Sequence, residues 1–236
     1  MKILVISDVH ANSWALRAAI QDAGPVDHVL CAGDTVSYGP DPRATLDLLR
    51  ECGVIAARGN HDHAVASGAD PRASPAKQPL ALAMRDWTRS RLELADVAWL
   101  ARWPLRLLWE VGGTRFAVVH ATPRDPLYDY RLRPDAPDDL VREVAAGIDA
   151  DVLVVGHTHW PLLRTHGPLQ IVNPGSVGQP LDGDPRAAYA IWEDGEVRLR
   201  RTPYPVERTV RQLEALSLPP AITQRLAAIL RTGEAQ

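Results

Sequence analysis

The sequence contains five short blocks whose side chains can bind divalent metal ions. They are Asp8-Val9-His10, Gly33-Asp34, Gly59-Asn60-His61-Asp62, His120 and Gly156-His157-Thr158-His159. Carboxylate, imidazole and amide ligands without any thiolate suit ions such as Mn, Fe, Zn, Co or Ni. The blocks supply more ligands than one ion needs once positions for water and substrate are left open. They therefore favour two ions that share a bridging carboxylate, an arrangement that clamps both sides of a displacement at phosphorus.

Each block directly follows a run of apolar residues that is typical of a short buried strand. The predicted strands cover residues 3–7, 28–32, 54–57, 116–119 and 152–155. Helices at about 14–23 and 41–52 separate the first three strands, and this β-α-β-α-β alternation predicts parallel pairing in an α/β fold. Because ligands in open α/β sheets bind beyond the carboxyl ends of the strands, we expect the five blocks to meet at one edge.

The whole chain, residues 1–236, is predicted to form a single domain with two helical additions. One is an excursion at about 67–103, which starts with a flexible surface stretch, 67–79, that is rich in Pro, Ala, Ser and Gly. The other is a C-terminal tail at about 205–236, with a break at Pro219-Pro220. The long loop at 122–139 follows His120, and long loops in compact domains tend to be functional.

Composition excludes several classes of protein. The formal net charge of −3 is not that of a dedicated nucleic-acid binder, so no stable nucleic-acid binding is expected. Two cysteines, Cys31 and Cys52, are too few for a disulfide framework or a cysteine-built zinc site. The first apolar run, at 3–6, is followed by Asp8 and is too short for a signal peptide or a membrane span. We therefore expect a cytoplasmic location and no membrane partner.

The five blocks, taken in this order, resemble those of the calcineurin-like metallophosphoesterase superfamily. The segment Asn173-Pro174-Gly175-Ser176-Val177-Gly178-Gln179-Pro180 further resembles the compact bacterial and archaeal branch that is phosphodiesterase-like and related to diadenosine tetraphosphatases. The resemblance runs from Ile3 to about Asn173. It implies a four-layer α-β-β-α sandwich of two mixed β-sheets flanked by helices. The alternating first half of the chain would supply one sheet, and the strand-rich second half most of the other.

The resemblance also assigns roles to individual residues. It implies that seven residues bind two divalent ions. The first ion would be bound by Asp8, His10 and His159, and the second by Asn60, His120 and His157. Asp34 would bridge the two ions. A hydroxide shared by the ions would attack phosphorus in line with the leaving oxygen. His61 would stabilise developing charge or protonate the leaving group. Asp62 would either orient the His61 ring or serve as a structural turn residue.

One departure from the family concerns the residues that bind phosphate. In the Ser/Thr protein phosphatase branch the second block continues with Asp-Arg-Gly, where this sequence has Ser37-Tyr38-Gly39. The carboxylate that supports the catalytic His and the guanidinium that binds phosphate are therefore absent, which disfavours a protein phosphatase of that branch. Other residues are candidate substrate contacts, and they are Arg124, Tyr128, Tyr130, Arg131, Arg133 and Arg186. For the arginines, a solvated surface position is the commoner case.

The expected function is hydrolysis of a phosphate ester, favouring a phosphodiester or a dinucleoside polyphosphate. The ions are expected to be manganese, with Fe, Zn, Ni, Co or Mg as alternatives, and the partner is a small phosphorylated substrate. A phosphomonoesterase or protein phosphatase on the same site is one alternative, and a non-catalytic scaffold with this fold is another. The complete ligand set and the presence of His61 favour an enzyme. The sequence leaves the physiological substrate and the oligomeric state open.

Overall fold

A computed structural model describes residues 1–73 and 78–234 of the chain. Residues 74–77 of the expected flexible stretch and residues 235–236 of the expected tail lie outside the described residues. The helices and strands, in chain order, are β1 Lys2–Ile6, α1 Ser13–Ala23, β2 His28–Cys31, α2 Pro42–Glu51, β3 Ile55–Ala56, α3 Asn60–Ser67, α4 Gln78–Arg91, α5 Leu94–Arg102, β4 Arg106–Val111, β5 Thr114–Val119, α6 Asp138–Ala145, β6 Val152–Val154, β7 Leu162–His166, β8 Leu169–Asn173, β9 Ala187–Glu193, β10 Glu196–Thr202, α7 Val206–Glu214 and α8 Pro220–Thr232.

In the described part of the chain, ten strands form two five-stranded mixed sheets. The first has the order β10-β9-β1-β2-β3 and the second β4-β5-β6-β8-β7. The strands β1, β2 and β3 run parallel in the first sheet, as do β5, β6 and β8 in the second. Antiparallel strands flank these parallel sets. In the first sheet β9 pairs with β1 and β10 with β9, and in the second β4 pairs with β5 and β7 with β8. Each sheet therefore presents the carboxyl ends of three parallel strands on one side.

The apolar residues of β1 alternate between two cores, which explains why the strand is apolar throughout. Ile3 and Val5 pack between the two sheets with residues such as Phe116, whereas Leu4 and Ile6 pack against the helices outside the first sheet. The helix α6 covers the outer face of the second sheet. These contacts give the layers helix, sheet, sheet, helix, and they confirm the predicted four-layer sandwich.

The strands β9 and β10 return to the first sheet, whereas the strands β4 to β8 form the whole of the second. The strand-rich later part of the chain therefore supplies the second sheet, as expected, and it also contributes β9 and β10 to the first sheet. The burial of β9 supplies the physical reason. Ala190 and Trp192 face the space between the sheets, and Tyr189 and Ile191 face the helices that cover the first sheet, so this strand has to lie inside that sheet.

The helical excursion and the C-terminal helices pack on each other. Leu80 and Met84 of α4 share an apolar cluster with Leu213 of α7 and Leu226 of α8, and Tyr38 joins the same cluster. Two additions that are distant in sequence thus form one helical wall next to the second block. Within the described residues, no helix combines the length and the apolar character that crossing a membrane requires.

Candidate metal centre

Side chains from five loops meet beyond the carboxyl ends of the strands, as the sequence predicts. Two buried groups form there, each with ligand atoms within 4.8 Å of one another. The first consists of Asp8, His10 and His159, and the second of Asp34, His120 and His157. Each group has the size and donor types of a site for one divalent ion.

Asp34 lies between the two groups. Its Oδ2 atom is 3.1 Å from His120 Nε2 in the second group and 4.0 Å from His10 Nε2 in the first. Its Oδ1 atom accepts a hydrogen bond of 2.8 Å from the backbone N–H of His61. One carboxylate oxygen is thus close to ligand atoms of both groups, as a bridging ligand requires.

The amide of Asn60 completes the second group. Its Nδ2 atom donates to the carbonyl of Pro71 at 3.0 Å, and its Oδ1 atom is 3.1 Å from His120 Nε2. Because the amide nitrogen is held by Pro71, the oxygen is the atom that faces the cluster. An amide oxygen is the end of Asn that binds a divalent cation.

Backbone carbonyls orient three of the imidazoles. The Nδ1 atoms of His120, His159 and His10 face the carbonyl oxygens of Ala32 at 2.8 Å, Gln179 at 2.5 Å and Val36 at 3.3 Å. A carbonyl oxygen can only accept, so each Nδ1 carries the proton. The Nε2 atoms therefore point into the cluster and are the atoms available to a metal ion, as in proteins whose His ligands donate their other N–H to a backbone carbonyl.

Closely spaced ring nitrogens show that the residues fit metal ions. His10 Nε2 lies 3.2 Å from His159 Nε2, and His157 Nδ1 lies 3.1 Å from His120 Nε2. Two ring nitrogens that both lack a proton repel each other at this distance, and a shared cation or proton removes the repulsion. Asp8 Oδ1 and His157 Nε2 are also buried without a hydrogen-bond partner among the described residues. Bound cations in the two groups would relieve the repulsion and satisfy Asp8.

The backbone of the site is strained. Asp8, His10, Asp34, His157 and His159 have φ angles between 47° and 68°, in the left-handed region that residues with a Cβ atom rarely adopt. Such a conformation costs about 1–3 kcal/mol for each residue and persists only where the surroundings enforce it. Five ligands in this region thus indicate a site selected for ligand geometry rather than for stability.

Burial and neighbouring charges shift the pKa values of the ligands in opposite directions. Burial raises the pKa of Asp8, but the nearby imidazole of His159 outweighs it and holds that pKa at about 2. Burial lowers the pKa of His120, but the facing carboxylate of Asp34 outweighs it and raises that pKa to about 9. Burial and the charge of His159 lower the pKa of His10 to about 3. Protonation is therefore disfavoured at Asp8 and His10 and favoured at His120.

We expect divalent ions to stabilise the folded protein. An ion that binds only the folded state, at about 100 times its Kd, adds about 2.7 kcal/mol to the free energy of unfolding. For a chain of this length the melting temperature should rise by about 5–10 °C. Differential scanning calorimetry of metal-free protein, with and without Mn²⁺, measures this. Excess chelator should reverse the shift, and an unchanged melting temperature would contradict a preformed metal site.

Glycines in the blocks allow the loops to approach each other closely. A Cβ atom at Gly59 would overlap the carboxylate of Asp34, and one at Gly156 would overlap the side chain of Ser7 and lie 2.7 Å from Asp8 Oδ2. The backbone N–H of His157, next to Gly156, donates to that same Asp8 oxygen at 3.1 Å. These glycines therefore set the distance between ligands that come from different strands.

The third block follows β3, as predicted, and its last three residues begin a helix that the sequence analysis did not predict. Asn60, His61 and Asp62 form the first turn of α3, with Gly59 as the N-cap. The signal for this helix is Asp62, whose Oδ2 atom accepts from the backbone N–H of Gly59 at 3.1 Å, which is half of a capping box. The helix start presents Asn60 and His61 to the cleft.

Asp62 supports the backbone of the second block. Its Oδ1 atom accepts hydrogen bonds of 2.9 Å from both the N–H and the hydroxyl of Thr35, and one of 3.3 Å from the N–H of Val36. No hydrogen bond joins it to His61 within the described residues. Of the two roles considered, the structural one matches these contacts, because all the hydrogen bonds of Asp62 anchor turns.

A cleft of about 400 Å³ opens over the metal groups. Of the predicted substrate contacts, Tyr130 and Arg133 line it. The ring centroid of Tyr130 lies 3.7 Å from that of His157, and the Arg133 guanidinium lies 5.1 Å from the ring of Trp160. Sequence reasoning did not select the remaining non-ligand residues of the cleft, which are Tyr38, Ala73, Leu80, Thr158, Trp160, Gln179, Leu181 and Ile229.

The other predicted substrate contacts lie outside this cleft. Arg124 and Arg131 form ion pairs with Glu143, and Arg186 forms one with Asp184. Tyr128 packs against the guanidinium of Arg72. These arginines have carboxylate partners on the protein surface, so their charges are already compensated. Among the cleft residues that the sequence analysis missed, Trp160 could have been found from its position directly after the metal-ligand candidate His159.

Comparisons with known proteins agree with this geometry. The model of the calcineurin-like phosphoesterase superfamily domain matches residues 1–194. A crystal structure of a metallophosphoesterase from Sphaerobacter thermophilus is 36% identical in sequence, with 97% of this chain and 99% of that chain covered and a TM-score of 0.78. An uncharacterized protein of Methanocaldococcus jannaschii is 29% identical over an alignment of 244 positions, with 95% of this chain and 96% of that protein covered.

A hypothetical protein from Pyrococcus horikoshii OT3 shares the fold. It is 21% identical, with 100% of this chain and 99% of that chain covered and a TM-score of 0.85. The family match covers all five blocks, and the relatives extend over nearly the whole chain. The chain therefore belongs to the calcineurin-like phosphoesterase superfamily, and it is a metal-dependent phosphoesterase.

Proposed function

We propose that the protein uses two divalent ions to hydrolyse phosphodiesters or dinucleoside polyphosphates. The observation that carries the proposal is the position of Asp34, whose Oδ2 atom lies near ligand atoms of both buried groups. A carboxylate in that position offsets charge on two ions at once. Two ions, when bound, would supply an activated water and neutralise charge on the phosphoryl oxygens.

The chain's own residues orient the substrate and handle the proton. His61 lines the cleft, and its ring centroid lies 5.3 Å from that of His10, so a phosphoryl group over the metal groups is within reach of its imidazole. We assign His61 the transfer of a proton to the leaving oxygen. Tyr130, on the other side of the cleft, covers His157 and limits the directions from which substrate can enter.

The shape of the cleft supports a substrate larger than inorganic phosphate. Its volume of about 400 Å³ is in the range of pockets that hold organic ligands. Apolar side chains from the helical wall, Leu80 and Ile229, line it together with Leu181 and Trp160. An organic group esterified to the phosphate can bury apolar surface against these residues.

A substrate panel tests the proposed function. Metal-stripped protein is reconstituted in turn with Mn²⁺, Fe²⁺, Zn²⁺, Ni²⁺, Co²⁺ and Mg²⁺, and each form is assayed on a dinucleoside polyphosphate, a small diester, a monoester and a phosphopeptide. We expect Mn²⁺ to support the highest activity, on diesters and dinucleoside polyphosphates. Preference for the monoester or the phosphopeptide would support the phosphatase alternative. Two bound ions without any hydrolysis would support the scaffold.

Arg133 is expected to contribute to binding of a substrate with more than one phosphoryl group. Its guanidinium is stacked on Trp160 in the cleft, and no carboxylate is paired with it among the described residues. A charged hydrogen bond contributes about 1.5–3 kcal/mol, so Arg133→Gln should lower kcat/KM for a dinucleoside polyphosphate by roughly 10–100-fold.

Steady-state kinetics on two substrates measure this effect. A small aryl diester has no second phosphoryl group, so Arg133→Gln should change its kcat/KM by less than about twofold. Arg142→Gln is the matched control, because that arginine is paired with Asp139 on the surface. Equal losses on both substrates would show that Arg133 acts on the scissile phosphate or on the fold instead.

A further inference from the structure

The imidazole of His61 lacks the hydrogen bond that usually orients a catalytic histidine. Its Nδ1 atom is buried and has no hydrogen-bond partner among the described residues. Asp62, the carboxylate next to it in sequence, is occupied by Thr35, Val36 and Gly59. Packing therefore has to hold this ring, because proton transfer requires a fixed direction toward the leaving oxygen.

Tyr38 supplies that packing. Its ring centroid lies 4.5 Å from that of His61, with an interplanar angle of 56°. This distance is at the short end of the range for aromatic pairs. The His10 ring flanks His61 from another direction, with the two planes at 83°. Tyr38 is only 7% exposed, and it shares the apolar cluster of Leu80 and Leu226, so the helical wall fixes it in place.

The backbone at Tyr38 adopts an unfavourable conformation that places the ring there. Tyr38 has φ 65° and the preceding Ser37 has φ 74°, so two consecutive residues with side chains lie in the left-handed region. For a bulky residue this conformation is a genuine outlier. The next residue, Gly39, has no room for a Cβ atom, which would overlap the carbonyl oxygen of His10. The turn is thus held tightly against the backbone of the first metal group.

We propose that Tyr38 is a positioning residue that fixes the orientation of the His61 imidazole through ring packing. The proposal rests on the proposed hydrolytic function and on the role of His61 in it. The aromatic ring of Tyr38 carries the effect, and the hydroxyl group is not needed. This role accounts for a strained turn that carries a tyrosine beside His61, where no carboxylate of the described residues bonds to the His61 Nδ1 atom.

The main test compares Tyr38→Leu with Tyr38→Phe on two esters, one with a poor alkoxide leaving group and one with nitrophenolate. Misplacement of a catalytic group by about 1 Å can cost about 10²-fold. We expect Tyr38→Leu to lower kcat by roughly 10–100-fold on the alkoxide ester and clearly less on the nitrophenyl ester, with KM nearly unchanged. Tyr38→Phe should keep both activities within about twofold, because it keeps the ring.

Two controls separate positioning from loss of structure. The ring of Tyr38 also lies 5.0 Å from that of His10, so the metal content of each variant is measured, and Tyr38→Leu should keep it. Tyr204→Leu removes another buried tyrosine, which accepts a hydrogen bond from Asn12, and should not change the ratio of the two activities. Equal losses on both esters, or loss of metal from Tyr38→Leu, would overturn the proposal.

A double-mutant comparison tests the link to His61. If Tyr38 acts through His61, then Tyr38→Leu should cause no further selective loss on the alkoxide ester in a protein that already carries His61→Ala. Additive losses would show that Tyr38 acts on the substrate directly, and they would contradict the positioning role.

A measurement without turnover keeps the proposal distinguishable from the proposed function. Protein labelled with ¹⁵N-histidine gives ring signals in the metal-free state, and His61→Ala identifies those of His61. Wild type and Tyr38→Phe should show one sharp set, whereas Tyr38→Leu should broaden it or split it through rotation of the ring. An unchanged His61 signal in Tyr38→Leu would overturn the proposal. Failure of every phosphate ester to react would instead overturn the hydrolytic function alone.

Discussion

Replacing Asp34 with Asn is expected to lower phosphoesterase activity by about 10³-fold and to weaken binding of both ions. The Oδ2 atom of Asp34 lies near His120 of one group and His10 of the other, so the substitution removes negative charge from both ion positions. Metal ions contribute several kcal/mol of charge stabilisation in the transition state, and a loss of about 4 kcal/mol corresponds to about 10³-fold in rate. Kinetics and titration calorimetry with Mn²⁺ measure the two effects.

Asn60→Asp is the matched comparison for this prediction. It changes an amide to a carboxylate at a ligand that belongs to the second group only, since Asn60 Oδ1 lies beside His120 Nε2. It adds charge at one ion position, so metal occupancy should fall less than in Asp34→Asn. Equal metal loss in the two variants, or loss of a single ion from Asp34→Asn, would contradict the bridging position of Asp34.

Removing His61 should reduce activity most strongly when the leaving group is poor. General acid catalysis contributes about 10²–10⁴-fold, so His61→Ala should lose much of that factor on an alkoxide or nucleoside ester. A nitrophenolate departs without a proton, and the loss on a nitrophenyl ester should be clearly smaller. Both turnover numbers are measured at saturating metal, where the content of bound ions should match wild type.

Two outcomes would contradict this role of His61. Losses by the same factor on both esters would mean that His61 positions the phosphoryl oxygens rather than protonating the leaving group. Loss of bound metal would mean that His61 is needed for the second site. The backbone N–H of His61 donates to Asp34, and this hydrogen bond is kept in His61→Ala. A loss of metal would therefore come from the missing imidazole and not from the loss of this contact.

The metal groups were predictable because chain order and chemistry agree there. Each ligand follows an apolar run typical of a buried strand. Parallel pairing brings Asp8 and Asp34 to the end of one sheet and His120 and His157 to the end of the other, and the packing of the two sheets joins the two sets. The blocks themselves contain the glycines that this approach requires, as at Gly156. Both the strands that lead to the site and the close approach of its loops could therefore be predicted from short stretches of sequence.

The substrate side of the cleft was not predictable in the same way. Arg124 and Arg133 belong to the same loop and look alike in sequence, but only the first has Glu143 within reach in the fold. Tyr38 stands next to a glycine in an ordinary turn sequence, and its role depends on helices that come more than 40 residues later in the chain. Long-range packing decides these positions, and no local pattern encodes it.

The position of β9 has a consequence for how the protein is made. During synthesis β1 leaves the ribosome before the other strands. Its antiparallel partner β9, in which Glu193 lies opposite Lys2, emerges only after about 190 further residues have been made. At about 5–20 residues per second, β1 waits roughly 10–40 s with one edge unpaired. An open edge of this kind is a template for wrong pairing. We therefore expect the nascent chain to depend on chaperones, and folding to become productive only once nearly the whole family domain has left the exit tunnel.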